Sequence, residues 1–463
     1  MSNSTAKKLG FWSIVLLTVN SIIGSGIFLS PGEVVKMAGT NTLIVYLCAA
    51  IFAAILAITF ASASKYVSKG GAAYAYAKAA FGSNCGLFIG VTRFVAASIA
   101  WGVMATAVVK STYKIFNIKP DFSNITIGFI VLMAILFLIN IAGPSLFKLI
   151  NNLSTIGKMA ALFIVIIAGI CIIIFTGVNN FDSISKIVDS KGNHLPLSLT
   201  TGEFVTATIA AFYAFTGFES VPSGAQDMEK PEKNLPKAIP LGILLIAVIY
   251  IGIVGSALFI NPEGLVNTTQ VVALVDVYTN PILRQIIFWG SLVSMFGINV
   301  AASFHTPRIL ESMAKEGQVP EFVAKRSKSD FPLFAFIVTI ILAIIIPMAF
   351  SYDVGSIMII SSISRFLQFL VVPLGVVMYY YGKNKESINN DAKKNLFTDV
   401  IIPIISLILT VLLLVKFNWV GQFTVKTDTG ITPNYWAISA MVIGYLILPI
   451  ILLIYNRNRK SGR

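Results

Sequence analysis

The chain has 463 residues, of which 56% are hydrophobic and only 12% charged, and its formal net charge is +14. Water-soluble domains carry about 25% charged residues, so this composition excludes a soluble enzyme or binding module. The blocks Met37–Ser64, Phe122–Phe147, Met159–Phe181 and Leu241–Pro262 contain no Asp, Glu, Lys or Arg, and about 20 such residues cross a bilayer as a helix. An all-α polytopic membrane protein is expected.

In chain order, apolar runs and their polar interruptions predict twelve spans near 11–36, 41–64, 84–109, 123–143, 152–177, 203–225, 238–261, 284–306, 333–351, 354–381, 398–417 and 434–456. The first ten residues are polar, and no cleavable signal peptide is expected. With the N-terminus in the cytoplasm, 22 of the 34 Lys and Arg fall in cytoplasmic segments. Nine fall outside, and Arg93, Lys158 and Arg365 lie within spans. The positive-inside bias therefore places both termini in the cytoplasm of a multi-pass protein of the cell membrane. The surplus charge is explained by this asymmetry and by anionic lipid, with no need of a nucleic-acid partner. Loops are short, and the longest outer connector is about 178–202.

Cys48, Cys85 and Cys171 are scattered without a CxxC, and His194 and His305 are isolated from each other. No disulfide framework, metal site or cofactor is expected. In the second span Ala49, Ala53, Ala57 and Ala61 share one face, which suits close helix packing in lipid.

The first span carries "SIIGSGIFLSP", Ser21–Pro31, with Gly24, Ser25 and Gly26 at its middle. The sixth carries "FYAFTGFES", Phe212–Ser220, with Gly217 and then Glu219. One such glycine cluster reads as a packing kink. Two at corresponding places in two five-span units point to a site at the bilayer midplane. The units would be 1–200 and 201–385, followed by 386–463. Breaking a helix frees N–H and C=O groups that lipid cannot satisfy, so a break must be buried in protein or face a polar cavity. Amides at a half-helix N-terminus suit a carboxylate. Carbonyls at the end of the other half suit an ammonium. An α-amino acid carries both.

These motifs resemble those of the amino acid–polyamine–organocation family of transporters. "IIGSGIF" with Pro31 is similar to the family's first helix, and "KGGAAYAYAKAAFG" (Lys69–Gly82) to the segment after its second. "FYAFTGFES…SGAQDMEKPEKNLPKAIP" (Phe212–Pro240) resembles the sixth helix and its loop, and "RILESMAKEGQVPEF" (Arg308–Phe322) the end of the eighth. The resemblance implies a five-plus-five inverted repeat (LeuT-like) with two further helices, and secondary amino acid transport by alternating access. It implies that Gly24, Ser25 and Gly26 meet the substrate carboxylate. The carbonyls of Ile22, Tyr213, Ala214 and Thr216 would meet the ammonium, with Tyr213 as an aromatic gate.

Lone charges remain. Lys158 follows "NNLSTIG" in the fifth span; an intramembrane Lys is functional by default, and otherwise it snorkels to the inner surface. The resemblance implies that it lies against the first break, where sodium-dependent relatives of the fold hold a cation. Lys158 would then repel sodium and act as the proton-coupling group or as a strut for exchange. Glu219 is the only acid well inside the spans, so cationic substrates are disfavoured. Placed past the break, on the outward half-helix, Glu219 is expected to pair with Arg365 across an outer gate. Alternatively, Arg365 attracts an acidic substrate. Arg93 opens the third span and is read as snorkelling inward. Ser25, Thr216, Tyr213, Ser294 and Asn299 form a modest polar set, suited to small or medium side chains.

A membrane enzyme would need paired acids, HExxH or a Ser/His pair within the spans, and a channel would need rings of charge or carbonyls from several subunits; neither is read here. A non-transporting amino acid sensor of the same fold is the remaining competitor. The expectation is a carrier of neutral L-amino acids, by proton symport or by sodium-independent exchange against an amino acid or amine. It would be a monomer by default.

Overall fold

The computed structural model describes residues 8–461 except 25, 117, 190–191, 193, 269–271, 350–351, 353, 418 and 428–429. Helix dominates. In order the helices are α1 (Phe11–Ile22), α2 (Gly26–Ala38), α3 (Thr42–Tyr66), α4 (Ala73–Phe81), α5 (Ser83–Ile115), α6 (Phe122–Ile141), α7 (Pro144–Thr176) and α8 (Thr201–Tyr213). A 3₁₀ segment, Phe218–Asp227, continues the line of α8. Then come α9 (Pro231–Ile260), α10 (Pro262–Val266), α11 (Pro281–Lys315), α12 (Leu333–Ala349), α13 (Val354–Tyr380), α14 (Ile402–Lys416), α15 (Trp419–Gln422), α16 (Tyr435–Val442) and α17 (Leu448–Ser461). Strands β1 (Thr424–Thr427) and β2 (Gly430–Pro433) form one antiparallel pair between α15 and α16.

Eight stretches of the described residues are long and apolar enough to cross a membrane, and four shorter apolar helices accompany them. Their surface is the reverse of a soluble protein's. On α14, Ile408 and Val415 face outward while Ser406 and Thr410 are buried. On α7, Leu153, Ile167 and Ile174 face outward while Asn151, Thr155 and Lys158 are buried. Lipid takes apolar side chains readily and polar ones only at a cost, so the polar groups turn into the bundle. The small face of α3 is buried at Ala49, Ala53, Ala57 and Ala61, as the spacing predicts, and α3 packs most extensively against α9.

Local chemistry sets the ends. Thr200 and Glu203 form a capping box at the start of α8. Pro144 opens α7 and Pro281 opens α11, each at the first turn, where a missing N–H costs nothing. Helices outrun the hydropathy, α7 and α11 by the most. α7 starts eight residues before the span read from 152, and α11 runs nine residues past 306. The overrun of α11 carries Arg308, Glu311 and Lys315, which end an apolar run; Arg308 and Glu311 are neutralised by Asp227 and Arg326 from other segments, and Lys315 pairs with Glu311 one turn back.

Those partners tie down one end of the bundle. Arg308 Nε donates to Asp227 at 2.5 Å, and Arg326 donates to Asp227 at 3.0 Å and to Glu311 at 2.6 Å. The Leu9 N–H donates to the Asp227 carbonyl at 3.0 Å, and the Glu229 N–H donates to the Leu9 carbonyl at 2.9 Å. The start of α1 and the end of the 3₁₀ segment are thereby joined. Lys78 pairs with Glu316 at 2.7 Å and Lys65 with Asp399 at 2.8 Å.

Candidate functional site

Both expected breaks are present. α1 stops at Ile22, Ile23 turns extended (φ −72°, ψ 98°), and helix resumes at Gly26. Ser25, expected to offer its amide and hydroxyl, lies outside the described residues. α8 stops at Tyr213, and Gly217 adopts φ +125°, a conformation that glycine tolerates and other residues avoid.

The two breaks touch main chain to main chain. A Cβ on Gly217 would run into the Ser21 carbonyl oxygen, and one on Gly26 would lie 3.0 Å from the Ala214 Cα. Small residues are therefore required on both sides. A narrow cavity of about 30 Å³ lies beside the contact. Ser21, Ile22 and Gly26 line it from the first break, and Tyr213, Ala214, Thr216 and Gly217 from the second. In this conformation the breaks are closed on each other.

The freed carbonyls have partners. Lys158, fully buried on α7, donates from Nζ to the Ile23 carbonyl at 2.5 Å and to the Asn20 carbonyl at 3.3 Å. Ser294 on α11 donates to the carbonyls of Ile23 and Gly24, both at 3.2 Å. Lys158 therefore does not snorkel: it stands at the cut end of α1, where the resemblance implied. Of the carbonyls expected to receive an ammonium, that of Ala214 accepts from the Tyr250 hydroxyl at 3.2 Å. The Tyr213 carbonyl accepts from the Thr216 N–H and hydroxyl at 3.2 and 2.8 Å. The Ala214 oxygen keeps a second lone pair, whereas the Tyr213 oxygen has both engaged by Thr216 in this conformation. Asn299 does not join the site: its side chain donates to the Met295 carbonyl at 2.7 Å, one turn back on α11.

Glu219 and Arg365 do pair, at 2.8 Å, but not across an outer gate. α8 runs antiparallel to α1. Residues past its break descend through Phe218–Asp227 to the end of the bundle that holds Leu9 and Arg308. Glu219 is thus on the half leading to the Lys- and Arg-rich, N-terminal end, and the outward placement is corrected. Arg93 is corrected as well. It lies a third of the way along α5, is 2% exposed, and donates to Ser220 Oγ and, at 3.5 Å, to Glu219. The second carboxylate oxygen of Glu219 accepts the Gly217 N–H at 2.7 Å, which ties the carboxylate to the break itself.

Arg93, Arg365 and His305 all line the cavity. His305, read from sequence as sitting at a span end, is buried well inside α11. The face Arg93–Ala97–Ala100–Met104 that α5 turns to the cavity follows helical spacing. That stripe of small residues above a charge was a readable signal for Arg93.

With this geometry in view, relatives become informative. The family model described as "Amino acid permease" matches residues 9–448. The chain belongs to the amino acid permease family. The match agrees with the motifs of the amino acid–polyamine–organocation superfamily. An uncharacterized transporter of Mycobacterium tuberculosis is 36% identical over 458 residues, covering 96% of the permease and 93% of the relative. The serine/threonine exchanger SteT of Bacillus subtilis is 28% identical, covering 69% and 70%. The putrescine transporter PotE of Escherichia coli is 27% identical, covering 74% and 76%. The permease is accordingly a multi-pass membrane transporter rather than an enzyme, and its family takes amino acids or amines as substrates.

Proposed function

We propose that the permease carries α-amino acids across the cell membrane by alternating access, without sodium, gripping the zwitterion between its two helix breaks. The observation that carries this reading is the contact of the breaks, Gly217 on the Ser21 carbonyl and Gly26 on Ala214, beside a cavity they jointly line. Parting them exposes main-chain dipoles of both signs at one place. Gly24, Ser25 and Gly26 then meet the carboxylate. The carbonyls of Ile22, Tyr213, Ala214 and Thr216 meet the ammonium, and Tyr213 covers the site.

The eight long apolar helices and the four shorter ones supply twelve spans, with α1 and α2 together making the first. Residues 1–200 and 201–385 form the two inverted repeats, and 386–463 the added pair, with both termini in the cytoplasm. The Arg93–Glu219–Arg365 cluster and the Asp227–Arg308–Arg326 cluster close the cytoplasmic side.

Lys158 holds the cut end of α1 with a charge of its own, which disfavours a sodium ion there. Proton symport follows if Lys158 releases and regains a proton during the cycle. Exchange is the second reading. It is favoured by the fully buried ammonium being held by two main-chain carbonyls, a strut that needs no titration.

Purified permease in proteoliposomes tests both. Uptake of labelled amino acids driven by an inward proton gradient supports symport, and uptake that requires amino acid preloaded inside supports exchange. Absence of uptake of every amino acid under both conditions refutes the transport reading.

A further inference from the structure

The charge around the cavity points to a cargo with a second carboxylate: we infer that the site takes a dicarboxylic amino acid, an inference that rests on the transport reading above. Two guanidinium groups, Arg93 and Arg365, line the cavity beside the His305 ring, and no Asp or Glu does. The nearest acid, Glu219, is a single negative charge shared by two guanidinium groups, Arg365 at 2.8 Å and Arg93 at 3.5 Å. Its other oxygen is taken by the Gly217 N–H at 2.7 Å. The cluster therefore holds one positive charge in excess, and all three members are more than nine-tenths buried.

The hydrogen-bond ledger agrees. Among the described residues, Arg93 Nε and Nη1 and Arg365 Nε are buried without a partner. Buried donors, charged ones above all, are normally satisfied. A carboxylate arriving from the cavity would meet these N–H groups and cancel the excess charge in one step. A neutral side chain would leave both unanswered, and a diamine such as putrescine would add like charge. The α-carboxylate of the cargo is already assigned to the amides of the first break, so the carboxylate that meets the arginines belongs to the side chain. This selects the acidic substrate that Arg365 offered as an alternative over the neutral one expected from sequence, because the sequence does not show that Arg93 and Arg365 share one acid at one cavity.

The test is a substrate panel on the full-length protein in proteoliposomes: labelled glutamate, aspartate, serine, leucine and putrescine, each with and without preload and proton gradient. Glutamate or aspartate uptake is expected at least tenfold above empty liposomes, blocked by the other dicarboxylate and not by tenfold excess serine, leucine or putrescine. Arg93→Gln is expected to lower the acidic-to-neutral uptake ratio at least tenfold. Transport of serine or leucine in preference to both dicarboxylates, with the ratio unmoved by Arg93→Gln, overturns the inference and leaves amino acid transport standing; so does accumulation of putrescine. If Arg93→Gln aggregates, thermal unfolding of the wild-type protein decides. Stabilisation by glutamate but not by serine or glutarate supports a dicarboxylate held as a zwitterion, and stabilisation by serine but not glutamate overturns it.

Discussion

Gly217 sits with its α-carbon against the carbonyl of Ser21, and in the same turn its N–H reaches Glu219. One residue thus joins the second break to the first and to the arginine cluster. Its φ of +125° and the missing Cβ are both required. Gly217→Ala is expected to destabilise the protein by about 1–3 kcal/mol through backbone strain and to force the breaks apart. Uptake should fall more than tenfold. Thermal unfolding and initial uptake rates check it, and a variant with wild-type rates would show that the contact is dispensable.

Lys158 separates the two coupling modes. Lys158→Ala removes the ammonium from the Ile23 and Asn20 carbonyls, and uptake is expected to fall at least tenfold with or without sodium. Lys158→Arg keeps a charge that does not leave. If Lys158 is the proton carrier, this variant loses gradient-driven accumulation while exchange with preloaded substrate persists. Equal loss of both activities assigns Lys158 a strut role instead.

The Glu219–Arg365 pair is expected to show energetic coupling. Glu219→Gln leaves two buried arginines without their carboxylate, and removing one partner of a buried pair costs about 3–5 kcal/mol. The double variant Glu219→Gln/Arg365→Gln should be less damaged than the sum of the singles, with an interaction energy of about 1–3 kcal/mol. Additive losses in a double-mutant cycle of unfolding free energies would mean that the pair is incidental.

Arg326 bridges Asp227 and Glu311, which belong to different segments at the end of the bundle that holds Leu9. Arg326→Ala leaves the two acids with weaker neutralisation, and that end should open more often. A cysteine placed at buried Ser223, one helical turn before Asp227, is then expected to react with a maleimide several-fold faster than in the Arg326 background. Unchanged labelling would show that the arginine does not latch this end.

Much of the candidate site was legible in the sequence. "GSG" in the first span and "FTGFE" in the sixth break helices by their residue types alone, and an intramembrane Lys announces itself by its cost. The Glu219–Arg365 pairing was legible too, but the side on which it lies and its second arginine, Arg93, were not. Placing Glu219 required following the antiparallel run of α8 down to Asp227, where Leu9 pairs. Arg93 looked like a snorkelling residue because hydropathy records depth poorly near a helix end. His305 looked terminal because Arg308 and Glu311 close the apolar run, although α11 continues through them.

What the sequence determined by itself is what depends on neighbours along the chain: apolar length, the positions of the breaks, and the membership carried by four ordered motifs. The tertiary structure decided what depends on neighbours across space. It set Gly217 on Ser21, Lys158 on the Ile23 carbonyl, and Arg93 beside Arg365 with one carboxylate between them. The reason is physical. A bilayer selects each helix by its own hydropathy, while a buried charge is satisfied only by a partner, and here the partners lie more than a hundred residues away along the chain.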